Sequence, residues 1–293
     1  PMFSNRDSQS RQMIPVPRGN MAATSFTISR KNFSGDLEFI AKNLPHGVKM
    51  TAPNAPSNFT SIPILFTATP DAPLQETLTQ FDLIHRNTDK NTTITGHYKH
   101  RVDLVYGPPN NRTYYEGVYN VLPVAVVEPV PFRVKLHTPS TPIVRGGSLN
   151  LKVEIIRDAN FTKDVVVKIL TKPSGIGAKS NVKISSKDSI GYYPLTANGG
   201  TPIGEWEIGV QAEAPADDGG NMLAASNFIK LKVEEPYLSV KINMAAVERG
   251  KNGEMICDLD ITRPFEGLAK ADLKGLPPFA VTEQVEFDAN SSQ

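Results

Sequence analysis

"VRGGSLNLKVEIIRDANFTKDVVVKILTKPSG", residues 144–175, decides how this sequence is read. Its first half alternates apolar and polar side chains, so that Leu149, Leu151, Val153 and Ile155 share one face of a strand. A period of two is typical of a β-strand with one buried and one solvated face, as antiparallel sheets have. The stretch therefore predicts two strands separated by a turn.

The same alternation recurs along the chain. It is found in "FRVKLH" (132–137), "EWEIGVQA" (205–212), "FIKLKVEE" (228–235) and "YLSVKIN" (237–243). No segment has convincing helical periodicity beyond about two turns, and the 24 prolines and 21 glycines punctuate short apolar runs. The sequence thus predicts an all-β protein of tandem immunoglobulin-like antiparallel β-sandwiches, with Trp206 as a core tryptophan.

Three landmarks recur in the same order. An Arg-Gly pair is followed after 15 or 16 residues by a Phe and after 27 or 28 residues by a Pro. Gly permits a bend with positive φ, the Phe is expected to plug the end of a sandwich, and the Pro to end a strand. The three copies are Arg18, Phe33 and Pro45; Arg145, Phe161 and Pro173; and Arg249, Phe265 and Pro277.

This repeat divides the chain into an N-terminal extension (1–13), a first sandwich with an inserted hairpin (14–130), a second sandwich (131–236) and a partial third (237–293). The third copy holds only the first half of the repeat, and half a sandwich leaves an apolar face open. We therefore expect the sequence to be a fragment of a longer protein, or another chain or segment to complete the third unit.

The landmarks resemble the immunoglobulin-like repeats of large exported bacterial proteins, of the kind that flank bacterial pre-peptidase C-terminal domains. The best match is "VPRGNMAATSFTISRKNFSGDLEFIAKNLPHGVKM" (16–50), followed by "LFTATPDAPL" (65–74). The second unit departs from the pattern with "KPSGIG" (172–177), and the third matches over its first half only. The resemblance implies a periplasmic, cell-surface or extracellular setting, a spacer, adhesion or accessory-binding role, and other domains of the same protein as partners.

Composition excludes several classes of function. A net charge of +1 gives no electrostatic footprint for nucleic acid, and no run approaches the ~20 apolar residues of a membrane span. No phosphate loop, nucleophile elbow or catalytic carboxylate pair is present, so no catalytic residue, metal or cofactor is predicted and the protein is not expected to be an enzyme. The single cysteine, Cys257, is expected to be a buried structural thiol beside Met255, Leu259 and Ile261.

The strongest candidate site is the tyrosine-rich stretch "YGPPNNRTYYEGVYN" (106–120). Exposed aromatic rings beside amides and a guanidinium are what a carbohydrate platform needs, because sugar faces stack on rings and hydroxyls pair with polar groups. A glycan or an envelope protein is the expected partner. The alternative is a plain hairpin whose tyrosines pack across strands. The residues proposed to bind are Tyr106, Asn111, Arg112, Tyr114 and Tyr115.

Two other polar clusters favour structural roles. The stretch 83–104 is predicted to be an exposed hairpin, and its histidines would ligate a metal only across a bend; they are His85, His97 and His100, beside Asp89 and Asp103. "PADDGGN" (215–221) lacks the distal Glu of a calcium loop and is predicted to be a hairpin turn.

Overall fold

The computed structural model describes residues 13–55, 60–87, 92–110 and 112–292, without the side chains of Asn87, His100, Arg101 and Tyr106. Over these residues the chain forms twenty-five β-strands and no helix, so the predicted all-β fold class is confirmed. No helix that could cross a membrane occurs in this part of the chain. The expected N-terminal extension lies, apart from Met13, outside the described residues.

The strands fall into three groups, here named the first, second and third units; the domain boundaries themselves stay predictions. In the first unit, one sheet has the order β1-β10-β6-β3 with β7 on β6, a second has the order β2-β5-β4, and β8 pairs with β9. The strands are β1 (Ile14–Pro17), β2 (Met21–Thr27), β3 (Glu38–Lys42), β4 (Val48–Thr51), β5 (Ser61–Ala68), β6 (Glu76–Asn87), β7 (Thr92–His97), β8 (His100–Gly107), β9 (Arg112–Tyr119) and β10 (Val121–Val127).

The second unit contains three sheets, with the orders β11-β13-β17-β15, β12-β21-β18 and β16-β14-β19-β20. Its strands are β11 (Phe132–Leu136), β12 (Ile143–Val144), β13 (Ser148–Arg157), β14 (Val165–Ile169), β15 (Ile176–Ala178), β16 (Val182–Ile184), β17 (Ile190–Ala197), β18 (Gly204–Ile208), β19 (Val210–Pro215), β20 (Asn221–Ala225) and β21 (Ile229–Glu234). The apolar side chains that alternate with polar ones along these strands, such as Leu151, Val153 and Leu231, form one continuous buried core. The alternation in the sequence therefore identified the core face correctly.

Within residues 237–292, the third unit forms two pairs of strands. β22 (Leu238–Ile242) pairs with β23 (Cys257–Ile261), and β24 (Ala269–Ala271) pairs with β25 (Val285–Phe287). β23 begins at Cys257, so Met255 lies outside the strand, contrary to expectation. Cys257 is half-buried rather than buried, because the described part of this unit has no counterpart of β17 to cover it.

The Arg-Gly pairs make the same turn three times. Gly19, Gly146 and Gly250 have φ of +67°, +75° and +77°. In each copy the residue after the glycine donates its N–H to the carbonyl of the residue before the arginine, as Asn20 does to Pro17. The bend that the sequence predicted is confirmed, and it rests on a left-handed conformation that glycine adopts without steric cost.

The aromatic landmarks differ in burial from one unit to the next. Phe161 is buried and stacks on Phe132 with ring centroids 5.2 Å apart. Phe33 is half-buried and stacks on His85, and Phe265 packs edge-on against Phe287. The plug role therefore fits Phe161, whereas the other two rings keep one side partly exposed.

Trp206 was predicted to be a core tryptophan, but it does not lie in the centre of the core. It is half-buried and packs against the core of the second unit from its margin. The strand predicted through 205–212 breaks at Gly209: β18 pairs with β21, whereas β19 pairs with β14 and β20. A side chain at Gly209 would lie 2.8 Å from the ring of Phe228, so the break also lets that ring pack closely.

Candidate functional site

The candidate site follows β6, the longest described strand of the first unit, along the chain. β6 pairs with β10 and β3 and continues outward to pair with β7. In the second unit the corresponding connection is only the β19–β20 hairpin. β7 pairs with β6 as β20 pairs with β19, so the additional strands of the first unit are β8 and β9.

A buried carboxylate anchors the base of this insertion. Asp82 on β6 is 2% exposed, and it accepts hydrogen bonds from Lys42 Nζ at 2.6 Å, His97 Nδ1 at 2.8 Å and Gln80 Nε2 at 3.2 Å. Burial favours the neutral carboxyl, but these hydrogen bonds outweigh it and hold the pKa of Asp82 below its ordinary value. These hydrogen bonds tie β3, β6 and β7 together.

Aromatic side chains pack around Tyr98, which lies between β7 and β8. The ring of Tyr98 lies 5.1 Å from that of Phe26 and 6.0 Å from that of Phe81, and its N–H donates to the Phe81 carbonyl. Burial raises the pKa of Tyr98. His85 lies 2.9 Å from the Asp36 carbonyl oxygen through Nδ1 and packs on Phe33. The insertion therefore begins from a rigid base.

Beyond this base, β8 and β9 form a two-stranded ribbon, here called the ribbon. Within the described residues these two strands pair only with each other. The ladder contains two β-bulges, one with Leu104 as the extra residue and one with Tyr114. Bulges sharpen the twist and re-aim the bulged side chain. The ribbon also exposes large apolar side chains: Leu104, Val105, Tyr114, Tyr115, Val118 and Tyr119.

Of the five sequence-predicted ligand residues, the structure describes the side chains of three. Asn111 lies outside the described residues, as does the side chain of Tyr106. Arg112 is exposed at the start of β9. Tyr114 donates its hydroxyl to the Pro108 carbonyl, so its ring lies back over the turn. Tyr115 is 64% exposed and lies opposite Val105. Binding by these residues stays a prediction.

One aromatic residue was missed by the sequence-based choice of site. Tyr119 shares a face with Tyr115 because the two are four residues apart on β9. Its ring folds over Gly117, where a Cβ would lie 2.7 Å from it. The period of two in "YEGVY" (115–119) could have identified this pair. Together the two rings give one face of the ribbon an aromatic surface suited to stacking against a sugar or an apolar side chain.

The other polar clusters are structural where they are described. No group of three or more His, Cys, Asp or Glu side chains that could hold a metal ion occurs in residues 13–55, 60–87, 92–110 and 112–292. "PADDGGN" forms the β19–β20 hairpin turn, as the sequence predicted. Lys163 Nζ binds both the Asp217 carboxylate and the Pro215 carbonyl there. His100 is described by its backbone only, and Asp89 is outside the described residues.

A groove between the first and second units is a second concave feature. It has a volume of about 150 Å³. Trp206 lines it, which explains why this ring is only half-buried. Its other lining residues include Ser61, Pro63, Lys172 and Glu207.

Comparisons with known proteins bear on architecture only. No family model and no curated protein matches the chain. Solved structures similar to it include the fibronectin(III)-like modules of Clostridium thermocellum CbhA, at 15% identity and a TM-score of 0.23 over 77% of this chain and 90% of that chain. The D0-D1 domain of intimin is similar at 9% identity and a TM-score of 0.24 over 75% of this chain and 95% of that chain. A marsupial T cell receptor is similar at 10% identity and a TM-score of 0.26 over 90% of this chain and 84% of that chain. Identities and TM-scores are low, so the fold class rests on the chain's own strands and sheets.

Proposed function

We propose that this chain is a non-catalytic structural segment of a larger exported bacterial cell-envelope protein. In this role its immunoglobulin-like units form a rod that spaces or presents other domains. The observation that carries the proposal is the packed joint between the first and second units. A joint of this kind transmits orientation, whereas a flexible linker does not.

The joint has an apolar centre with a polar contact beside it. Ala23 and Leu65 of the first unit pack with Ala225 of the second, and Met21, Leu170 and Phe228 surround them. Asn20 Nδ2 donates to the Phe132 carbonyl at 2.8 Å, and Asn20 is itself buried. Swinging one unit against the other would expose the apolar cluster and leave a buried amide without its partner.

A second, ionic joint connects the second and third units. Glu234, the last residue of β21, accepts hydrogen bonds from Lys232 and Arg263. These hydrogen bonds lower the pKa of Glu234. The Arg263 guanidinium lies 4.6 Å from the centre of the Tyr237 ring, in the linker. The third unit is thereby oriented against the second.

The exported setting is supported by the resemblance of the repeat landmarks to those of exported bacterial proteins. A periplasmic, cell-surface or extracellular location and a place next to a pre-peptidase C-terminal domain are parts of the proposal. Its partners are then other domains of the same protein. Proline-containing linkers at 128–131 and 235–237 suit such an array, because proline stiffens a joint.

Double electron–electron resonance, which measures the distance between two spin labels, tests whether the first and second units keep a fixed orientation. Spin labels are placed on cysteines at exposed Thr67 and Lys230 in a Cys257→Ser background. We expect one narrow distance distribution, which Leu65→Ala broadens because it removes apolar contact from the joint. Val105→Ala, an exposed position on the ribbon, is the matched control and leaves the distribution unchanged. A broad distribution in the chain with an intact joint would refute the proposal.

A second candidate function is binding of a glycan or an envelope protein by the ribbon. It is favoured by the exposure of Tyr115 and Tyr119 on one face above a rigid base. Replacing both Tyr114 and Tyr115 with Ala should abolish retention on a glycan array or an envelope extract, with little change in Tm. A large fall in Tm would instead assign these rings a packing role.

A further inference from the structure

The groove between the first and second units contains the chain's only tryptophan. Trp206 lies on β18, which among the described strands pairs with β21 alone and is therefore an edge strand. The first unit contributes Ser61 and Pro63, at the start of β5, and the second unit contributes the loop 171–174 and Pro202. The groove therefore exists because the two units pack together.

The ring of Trp206 is held in place by the main chain beside it. Its six-membered ring lies over Gly204, where a Cβ would come within 3.1 Å of the ring. Gly204 also has a φ of +150°, which residues with a Cβ rarely adopt. Gly204 does not line the groove, whereas Trp206 does, so the ring contacts the main chain with one part of its surface and offers another to the groove. An aromatic ring fixed in this way loses little side-chain freedom when a ligand stacks on it.

Two polar groups of β18 have no partner in the part of the chain that the structure describes. The indole N–H of Trp206 makes no hydrogen bond there, and the half-buried carboxylate of Glu207 makes neither a hydrogen bond nor an ion pair. Lys230 is the cross-strand neighbour of Glu207, but its ammonium pairs with Glu205 at 3.3 Å. One donor and one charged acceptor are therefore available to a ligand in the groove.

The rest of the lining is rich in hydroxyl groups and carries no net charge. Of the described residues that line the groove, Lys172 is the only cation and Glu207 the only anion. Lys172 Nζ already donates to the Ile176 carbonyl. A neutral ligand with several hydroxyls suits this lining better than an ion or a wholly apolar group, because a hydroxyl both donates and accepts. The hydroxyl side chains of the lining are Thr60, Ser61, Thr171 and Ser174.

The size of the groove limits the ligand to one ring. Its volume is about 150 Å³, a space that one six-membered ring fills. A pyranose has C–H faces that stack on an aromatic ring, and hydroxyls that accept from the indole N–H and donate to the Glu207 carboxylate. A proline ring has a similar size, but it brings no donor and would cover the carboxylate without compensation. The lining therefore favours a sugar.

We propose that the groove between the first and second units is a binding site for one neutral pyranose residue of a glycan. The sugar ring stacks on Trp206, one hydroxyl donates to the Glu207 carboxylate and another accepts the indole N–H. Because Ser61 and Pro63 of the first unit line the same groove, the bound sugar contacts both units. The site is separate from the ribbon, and the inference rests neither on the rod nor on glycan binding by the ribbon.

The test uses the full chain and the fluorescence of its single tryptophan. Cellobiose and N,N′-diacetylchitobiose are the neutral probes, and the indole is excited at wavelengths that tyrosine does not absorb. We expect a saturable change in the emission of Trp206 with at least one of the two sugars. Tyr115→Ala should leave this response unchanged, because the ribbon does not line the groove. Failure of glycan binding by the ribbon and failure of this site are thereby distinguishable.

Substitutions on β18 test the contacts. Glu207→Gln keeps the length of the side chain and removes its charge, and it should raise the Kd about tenfold, because a hydrogen bond to a charged acceptor is roughly twice as strong as a neutral one. Glu205→Gln is the matched control, since Glu205 lies on the same strand but pairs with Lys230 and does not line the groove. It should leave the Kd unchanged.

Trp206→Phe removes the indole N–H and part of the stacking surface. Its binding is followed by calorimetry, because the fluorescent reporter is lost, and it should be weaker than that of the parent chain. Thermal unfolding verifies that the variant is folded. Should Trp206→Phe fail to fold, the comparison of Glu207→Gln with Glu205→Gln decides.

Three outcomes would overturn the proposal. The first is an emission of Trp206 that neither sugar changes up to its solubility. The second is a Kd that is the same in Glu207→Gln and in the parent chain. The third is a saturable response to tri-proline or to spermidine and to neither sugar, which would make the groove a site for a proline-rich peptide or for a cation.

Discussion

The side chain of Asn20 donates a hydrogen bond to the main-chain carbonyl of Phe132, 112 residues later in the sequence, across the joint between the first and second units. Its own oxygen accepts the N–H of Met21, so both ends of the amide are used. A buried polar side chain with two partners fixes a geometry that apolar contact alone would leave free to slide. The first two units are therefore coupled in orientation as well as in sequence.

Asn20→Ala should weaken this coupling. The loss of one hydrogen bond and the unsatisfied Phe132 carbonyl should cost about 1–3 kcal/mol of unfolding free energy, and the inter-unit distance distribution should broaden. Urea unfolding together with distance measurement checks both. Asn150→Ala, at an exposed position of β13, should change neither quantity. An unaltered distance distribution in Asn20→Ala would mean that the apolar cluster alone sets the joint.

Gly175 is expected to tolerate substitution less well than Gly146, although both have positive φ of +83° and +75°. A Cβ on Gly175 would lie 2.6 Å from Thr201 Oγ1, whereas a Cβ on Gly146 meets nothing within 4 Å. Gly146→Ala should cost about 1–2 kcal/mol from the left-handed backbone alone. Gly175→Ala should cost more, because the turn must also shift. Thermal unfolding of the two variants measures the difference, and equal costs would contradict the close approach.

Acid should destabilise the base of the ribbon through Asp82. Its pKa is lowered in the folded chain, since hydrogen bonds from Lys42, His97 and Gln80 outweigh burial. A lowered carboxyl pKa contributes stability that is fully present above the unfolded value of about 3.9 and is lost as the pH falls below it.

Urea unfolding at pH 7, 4 and 3 checks this expectation. Asp82→Asn should have a lower unfolding free energy than the parent chain at pH 7, and this difference in unfolding free energy should be smaller at pH 3. Asp272→Asn, an exposed carboxyl, serves as the control and should show no such narrowing. A gap that stays constant with pH would indicate that the charge of Asp82 does not matter.

Substitutions of Tyr114 and Tyr115, made one at a time, should have different effects. Tyr114→Phe removes only the hydroxyl that bonds the Pro108 carbonyl, so hydrogen exchange in the β8–β9 turn should accelerate while the ring remains. Tyr115→Ala should leave that exchange unchanged and weaken any retention on glycan or envelope protein. Faster exchange in Tyr115→Ala instead would show that its ring packs within the ribbon.

How much the sequence predicted can be judged from particular residues. The alternation of Leu151, Val153 and Ile155 identified a core face because a pleated strand sends successive side chains to opposite sides, whatever lies beyond. The repeated Arg-Gly turns were predicted for an equally local reason, since positive φ is a property of glycine. Both predictions depend on neighbours within a few residues.

The candidate site was less accessible to this reasoning. The tyrosine-rich stretch was predicted to be a candidate binding platform, with a plain hairpin as the alternative, but the bulge at Tyr114 and the position of Tyr119 on the same face as Tyr115 depend on cross-strand register. Register is set by the turn and by bulges, which composition does not reveal.

By itself, the sequence determined an all-β chain, the inward face of its strands and three copies of one turn, because these features follow from local backbone and side-chain chemistry. Only the tertiary structure decided that Trp206 lies at a groove, that Asn20 bonds Phe132, and that Tyr114 is a bulged residue of the ribbon. Each of these depends on which strand lies alongside and in which register, and local patterns do not reveal either.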